Sequence, residues 1–234
     1  MIKFFLVFYI VFSLVHVGWA QNESIDSLYT KFDKLYGSDV LLNNGKKYFP
    51  ETNSAKGHPF WGGQESFPAD LTISGKTFPY QQLKYDLHKQ EFLLFYTDLN
   101  GQKCQIILNT PFIDSVKTEN SLFVRNQYPE IVQPFVRLVY RGNISCYVGL
   151  KKELDFTNIG VNTGYGYSKE IRTYYLIFNK LVYQFRNKST FLKIFPSPKR
   201  AAIRTQISLN RLKFKKIDEA KLRQLIVFCD NTVG

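Results

Sequence analysis

The chain has 234 residues and a formal charge of +12, with 44% hydrophobic and 16% aromatic residues. That apolar content excludes disorder, and the length suffices to bury a core without disulfide or metal staples. In a cytosolic protein such a charge would point first to nucleic acid. In an exported one it points to lipid headgroups, acidic glycans or an acidic protein partner, unless it serves solubility alone.

Export is what the N-terminus predicts. Lys3 precedes an almost wholly apolar run from Phe4 to Val17, and Gly18-Trp19-Ala20 follows. A positive start, a short apolar stretch and small residues before a cut make a signal peptide of residues 1–20, cleaved after Ala20. The run is shorter than the roughly 20 residues a spanning helix needs. No later stretch suits a transmembrane helix, so none is expected in the mature chain. The expected location is the periplasm, the periphery of the outer membrane or the extracellular space. Cys104, Cys146 and Cys229 allow at most one internal bridge, or act as three small buried hydrophobes.

In chain order, Leu28, Phe32, Leu35 and Tyr36 lie on one face of a short helix starting near Ser24. Asn44-Gly45 between two apolar runs predicts a hairpin turn. Residues 50–67 read as a long loop around His58-Pro59-Phe60-Trp61-Gly62-Gly63. From Asp70 to Asn109, alternating apolar residues and the turns at Ser74-Gly75 and Asn100-Gly101 predict four antiparallel strands. Residues 111–126 suggest a helical turn and one strand. Residues 131–140 and 144–150 form another hairpin, residues 158–168 a loop, and residues 171–178 and 181–185 a further pair turning at Asn179-Lys180. Short helices are expected at 189–195 and 199–209. An extended link through Leu212, Phe214 and Ile217 leads to a last helix capped by Asp218. The class is mainly β or α+β: an antiparallel meander of about eight to ten strands, curled or barrel-like. The expected domain is 21–187, with a basic helical segment, 188–234, packed on it.

Three stretches carry a resemblance. They are Leu35-Tyr36-Gly37-Ser38-Asp39-Val40-Leu41-Leu42-Asn43-Asn44-Gly45-Lys46-Lys47-Tyr48; Leu71-Thr72-Ile73-Ser74-Gly75-Lys76-Thr77-Phe78 with Leu83-Lys84-Tyr85-Asp86 and Glu91-Phe92-Leu93-Leu94; and Leu212-Lys213-Phe214-Lys215-Lys216 with Leu222, Leu225 and Cys229-Asp230-Asn231. Together they resemble a family of exported proteins of Bacteroidetes-type Gram-negative bacteria with no assigned function. The resemblance implies a bacterial envelope setting and a β-rich fold, and it supplies no catalytic residue.

The candidate binding residues are of two kinds. Phe60 and Trp61, on a glycine-flanked loop, and Tyr165 and Tyr167, between glycines, could stack on a sugar or anchor a partner, or could fasten their loops to the sheet. Lys213, Lys215 and Lys216 belong to a strongly basic C-terminal third that could form one positive face or a solvated one. His88 and Glu91 read as a solvated turn pair. No serine-nucleophile elbow, zinc-protease or phosphate-loop motif occurs. The sequence therefore nominates no catalytic residue, metal site or cofactor. The expected function is a non-catalytic module that contacts an envelope protein or an anionic surface glycan or lipid. The alternative is a hydrolase whose two carboxylates, distant in sequence, meet in space.

Overall fold

Pairing of backbone groups between neighbouring strands organises most of the chain. The computed structural model describes residues 39–52, 54–97, 100–159 and 162–233, and its strands and helices from Val40 onward form one compact unit. The expected signal peptide and the helix expected near Ser24 lie outside the described residues.

The strands are β1 (Lys46–Lys47), β2 (Phe67–Ile73), β3 (Lys76–Asp86), β4 (Glu91–Thr97), β5 (Lys103–Ile107), β6 (Ile113–Lys117), β7 (Leu122–Arg125), β8 (Phe135–Arg141), β9 (Ser145–Lys151), β10 (Leu154–Ile159), β11 (Asn162–Tyr167), β12 (Ile171–Phe178) and β13 (Leu181–Phe185). Eleven of them make one antiparallel sheet in the order β1-β5-β4-β3-β2-β6-β7-β8-β9-β12-β13; β10 and β11 form a separate hairpin. The sheet is thus two meanders growing in opposite directions from the β2–β6 junction. It is open, with β1 and β13 at its edges.

Chain connectivity requires the sheet to curl. Strands β5 and β6 lie four positions apart, and residues 108–112 join them, three of them in a 3-10 turn, Thr110–Phe112. In a flat sheet four spacings cover about 19 Å, which a partly wound segment of that length cannot bridge. The bend has a local origin. Strand β3 pairs with β2 along its first part and with β4 only from Gln82 onward. Within the β2-paired part, just before β4 pairing begins, the β2–β3 register shifts between Ala69 and Leu71, and Tyr80 takes φ +55°. Such a bulge bends a strand and raises its twist.

The short helices are α1 (Val40–Asn43), α2 (Lys188–Lys193), α3 (Arg200–Leu209) and α4 (Glu219–Val233). Helix α4 buries Leu222, Leu225, Ile226 and Cys229. These join Leu71, Leu83, Phe92, Phe123, Phe135 and Leu176 of the sheet in one continuous core. Two polar anchors fix α4. The Arg137 guanidinium meets Glu219 at 2.6 Å, and Asp230 accepts from the Tyr140 hydroxyl and the Ile144 N–H, both at 2.8 Å. The opposite sheet face carries a smaller cluster of Ile131, Val136, Tyr147, Tyr175 and Ile177. No described helix is long and apolar enough to cross a membrane.

Three sequence expectations are corrected. Asn44-Gly45 is not a hairpin turn: α1 precedes it, and β1 pairs with β5 instead. Gly45 has no positive φ but lies so close to β5 that a Cβ would sit 2.4 Å from the Ile107 carbonyl oxygen. Its glycine is needed for close approach, not for a turn. Residues 158–168 are not an open loop, since they contribute to the β10–β11 hairpin. Strand β6, hidden in 111–126, is the strand that joins the two meanders.

Candidate functional site

Of the aromatic residues nominated from sequence, Phe60, Trp61 and Tyr167 make contacts within the fold and Tyr165 stays exposed. Residues 58–61 run alongside the end of β3, with Trp61 N–H donating to the Tyr85 carbonyl at 2.9 Å and Leu87 N–H to that of Pro59 at 3.0 Å. The Lys152 ammonium donates to the His58 and Phe60 carbonyls at 2.8 and 3.2 Å. Pinned this way, Trp61 meets Phe67 and Phe123 edge-on at 5.1 and 4.9 Å, on the main core. Phe60 lies under the Lys84 ammonium at 4.8 Å and beside Tyr48 at 6.2 Å. Burial, then the charges of Lys152 and Lys84, lower the pKa of the His58 imidazole.

Tyr167 ends β11 against the His88 ring, at 5.8 Å, and its backbone pairs with Lys56. Tyr165 stays exposed, edge-on to the equally exposed Phe156 at 5.4 Å. Nothing gathers Trp61, Phe60, Tyr165 and Tyr167 into one platform.

Two carboxylates do meet. Asp86 and Glu91 are direct cross-strand partners at the β3–β4 turn. Asp86, however, is 1% exposed, and both its oxygens are engaged: Oδ1 accepts from the His88 and Lys89 N–H groups at 2.9 and 2.8 Å, and Oδ2 from the Tyr48 hydroxyl at 2.7 Å. Its chemistry is spent on closing the turn and holding Tyr48. Burial and the Asp86 bond push the Tyr48 phenol far above its usual range. Burial, then the neighbouring Asp86, raise the pKa of Glu91, while Lys89 and Lys46 oppose that shift. With Asp86 sealed, the pair does not present two accessible groups to a substrate. Among the described residues no cluster of His, Cys, Asp and Glu is suited to a metal ion.

The basic C-terminal segment is where side chains are left with unspent charge. Asn187 caps α2 through a reciprocal pair with Thr190, the Thr190 N–H donating to Asn187 Oδ1 at 2.8 Å. Phe191 packs on Phe185 at 4.9 Å, and Phe214 on Phe191 at 5.4 Å. Burying Phe214 in this aromatic nest leaves Lys213 and Lys215 exposed on either side. Lys216 is in the same 3-10 turn, Phe214–Lys216; its side chain lies outside the described residues.

Between this segment and the start of β12 runs an open groove of about 910 Å³. Lys169, Arg172, Arg186 and Lys215 contribute its cations, and Glu170 and Asp218 its carboxylates. Both acids are engaged. Glu170 accepts from Arg172 Nε at 2.7 Å, and Asp218 accepts from the Ala220 and Lys221 N–H groups at the start of α4. Lys169, Arg186 and Lys215 are exposed and have no carboxylate partner among the described residues. The floor comprises Tyr174, Phe214 and Ile217, each buried to at least nine-tenths, and the accessible lining as a whole is more apolar than polar, so the cations stand around a largely apolar surface.

Of the lysines nominated from sequence, Lys215 lines this groove and Lys213 lies next to it. Lys169, Arg172 and Arg186 were missed. They sit near strand ends separated along the chain, and their only sequence signal was basic residues in the turns before β12 and after β13.

Compared with family models, curated proteins and solved structures, the chain matches none.

Proposed function

We propose that this chain is an exported, non-catalytic binding module of the bacterial envelope that holds an acidic glycan in the groove between β12 and the C-terminal segment. The apolar leader and the resemblance to exported Bacteroidetes-type proteins belong to this proposal. The observation that carries it is the set of three exposed cations with no carboxylate partner among the described residues, Lys169, Arg186 and Lys215, around one open groove. An exposed cation without a partner keeps its full attraction for an incoming anion, and clustered like charges raise the local potential. An acidic sugar fits this lining, its carboxylate meeting the cations and its ring carbons the apolar surface between them.

The test is calorimetric titration with an oligogalacturonate. Reversing Arg186→Glu and Lys215→Glu together lowers affinity at least about tenfold. Reversing Lys103→Glu and Lys117→Glu, on β5 and β6, leaves it within about twofold, since screening confines each charge to its surroundings. Equal losses in both double variants would reduce the effect to net charge. Binding to phosphatidylglycerol vesicles without binding to the oligosaccharide would assign the groove to lipid headgroups.

A further inference from the structure

The open sheet ends in two edge strands, and the sequence treats them differently. Edge β1 is two residues long, and both are exposed lysines. A short, charged edge keeps other strands from adding to a sheet. The opposite edge, β13, is Leu181-Val182-Tyr183-Gln184-Phe185. It carries no charge and no proline, and its register with β12 runs unbroken. Neither shortness, charge nor a bulge guards it.

The backbone of β13 also presents a defined set of unused groups. The turn at Asn179-Lys180 closes on the pair Phe178–Leu181, so Leu181, Tyr183 and Phe185 aim their N–H and C=O groups at β12. Those of Val182 and Gln184 aim outward, and among the described residues they have no hydrogen-bond partner. The open stretch ends at Arg186, whose N–H donates to Thr190 Oγ1 at 3.1 Å. Leu181 and Gln184 are exposed, and Val182 and Tyr183 half-buried, so solvent reaches this edge.

Charge selects the strand that fits. Exposed Lys180 and Arg186 bracket β13, and neither has a carboxylate partner among the described residues. From Ile171 to Ile217 the chain holds twelve lysines and arginines and no aspartate or glutamate. A second copy is therefore disfavoured. Two β13 strands paired antiparallel about Tyr183, the register that joins their open groups, set Lys180 of each against Arg186 of the other, and like charges directly opposed are destabilising. We infer that β13 takes up an extended acidic peptide as a further strand, antiparallel like the other pairs of this sheet. The N–H and C=O groups of Val182 and Gln184 bond the peptide backbone, and Lys180 and Arg186 meet acids three residues to either side of its centre. Arg186 also lines the cationic groove, but Val182 and Gln184 do not, so this surface does not depend on the glycan reading.

The test is amide chemical-shift mapping on the full chain titrated with the capped heptapeptide Asp-Thr-Val-Thr-Val-Thr-Asp. Saturable shifts appear at Val182, Tyr183 and Gln184, and the Val182 and Gln184 amides gain protection from hydrogen exchange. The same peptide N-methylated at both valines, which face those two residues, loses its donors and binds at least about tenfold more weakly. So does the peptide with lysine at both ends. Gln184→Pro removes one outward N–H and leaves the bonds to β12 in place, as an edge strand permits, and also weakens binding about tenfold. The N-methylated peptide, used on the wild-type chain, makes the same distinction should that variant fail to fold. No saturable shift at these three amides up to about 2 mM peptide would overturn the inference. So would equal binding of the N-methylated or the lysine-ended peptide, or a concentration-dependent dimer of the chain alone with the same amides shifted, which would give the edge to a second copy.

Discussion

Trp61→Ala separates a partner anchor from a packing residue. The indole meets Phe67 and Phe123 edge-on and faces the main core. A tryptophan buries about 150–250 Å². Losing roughly 120 Å² of that at about 25 cal/mol per Å² costs about 3 kcal/mol. The two edge-on ring pairs bring the total to about 4–6 kcal/mol. In a domain of this size each kcal/mol lowers Tm by about 2–4 °C, so the variant melts about 8–24 °C lower. Circular dichroism melting reads the shift. Titration of the folded variant with oligogalacturonate, well below its Tm, shows affinity unchanged, because Trp61 does not line the groove. A Tm within about 2 °C of the wild type, together with lost binding, would refute this reasoning.

Three further outcomes follow from the same geometry. Asp230→Ala strips the acceptor from the Tyr140 hydroxyl and the Ile144 N–H, the latter on a fully buried residue. Urea denaturation then shows a loss of about 3–5 kcal/mol, and Asp230→Asn, which keeps one oxygen, loses about half of that. Native chain treated with Ellman's reagent at about pH 8 reacts at Cys104 alone, because only thiolates attack. Cys146 and Cys229 are buried, and burial pushes the Cys229 thiol up to about 12, so both react only after unfolding. Glu91 has its pKa raised in the fold above the ordinary 4.5, so the native state holds that proton to higher pH than the unfolded chain. Stability from this group therefore falls as pH rises through the window above 4.5. The wild-type stability minus that of Glu91→Gln declines between about pH 4 and pH 7 in urea titrations, and a rising difference would reverse the assignment.

Local chemistry made much of the sheet legible. Ser74-Gly75 and Asn179-Lys180 take positive φ at both positions, as tight hairpin turns demand, and they close β2–β3 and β12–β13 where the sequence placed them. Asn44-Gly45 carried the same signal and misled, because a glycine also serves where two backbones nearly touch, and the Ile107 carbonyl is far away in sequence. The β10–β11 hairpin was obscured by Gly164 and Gly166, which lower strand propensity. Tertiary pairing compensates, since Lys56 N–H donates to the Tyr165 carbonyl and Tyr167 N–H to that of Lys56. The link through Leu212, Phe214 and Ile217 is not extended throughout as expected, since Phe214–Lys216 form a 3-10 turn that buries Phe214. The groove itself was not legible. It needs Lys169, Arg186 and Lys215 brought together by the β9–β12–β13 order and by an aromatic nest of residues spread from Phe185 to Phe214.

The measurement that bears most directly on anion capture is the salt dependence of oligogalacturonate binding to the wild-type chain. Between about 50 and 300 mM sodium chloride the affinity falls at least about tenfold, because Lys169, Arg186 and Lys215 are exposed and salt screens them. An affinity constant across that range would contradict the groove as a cationic binding surface.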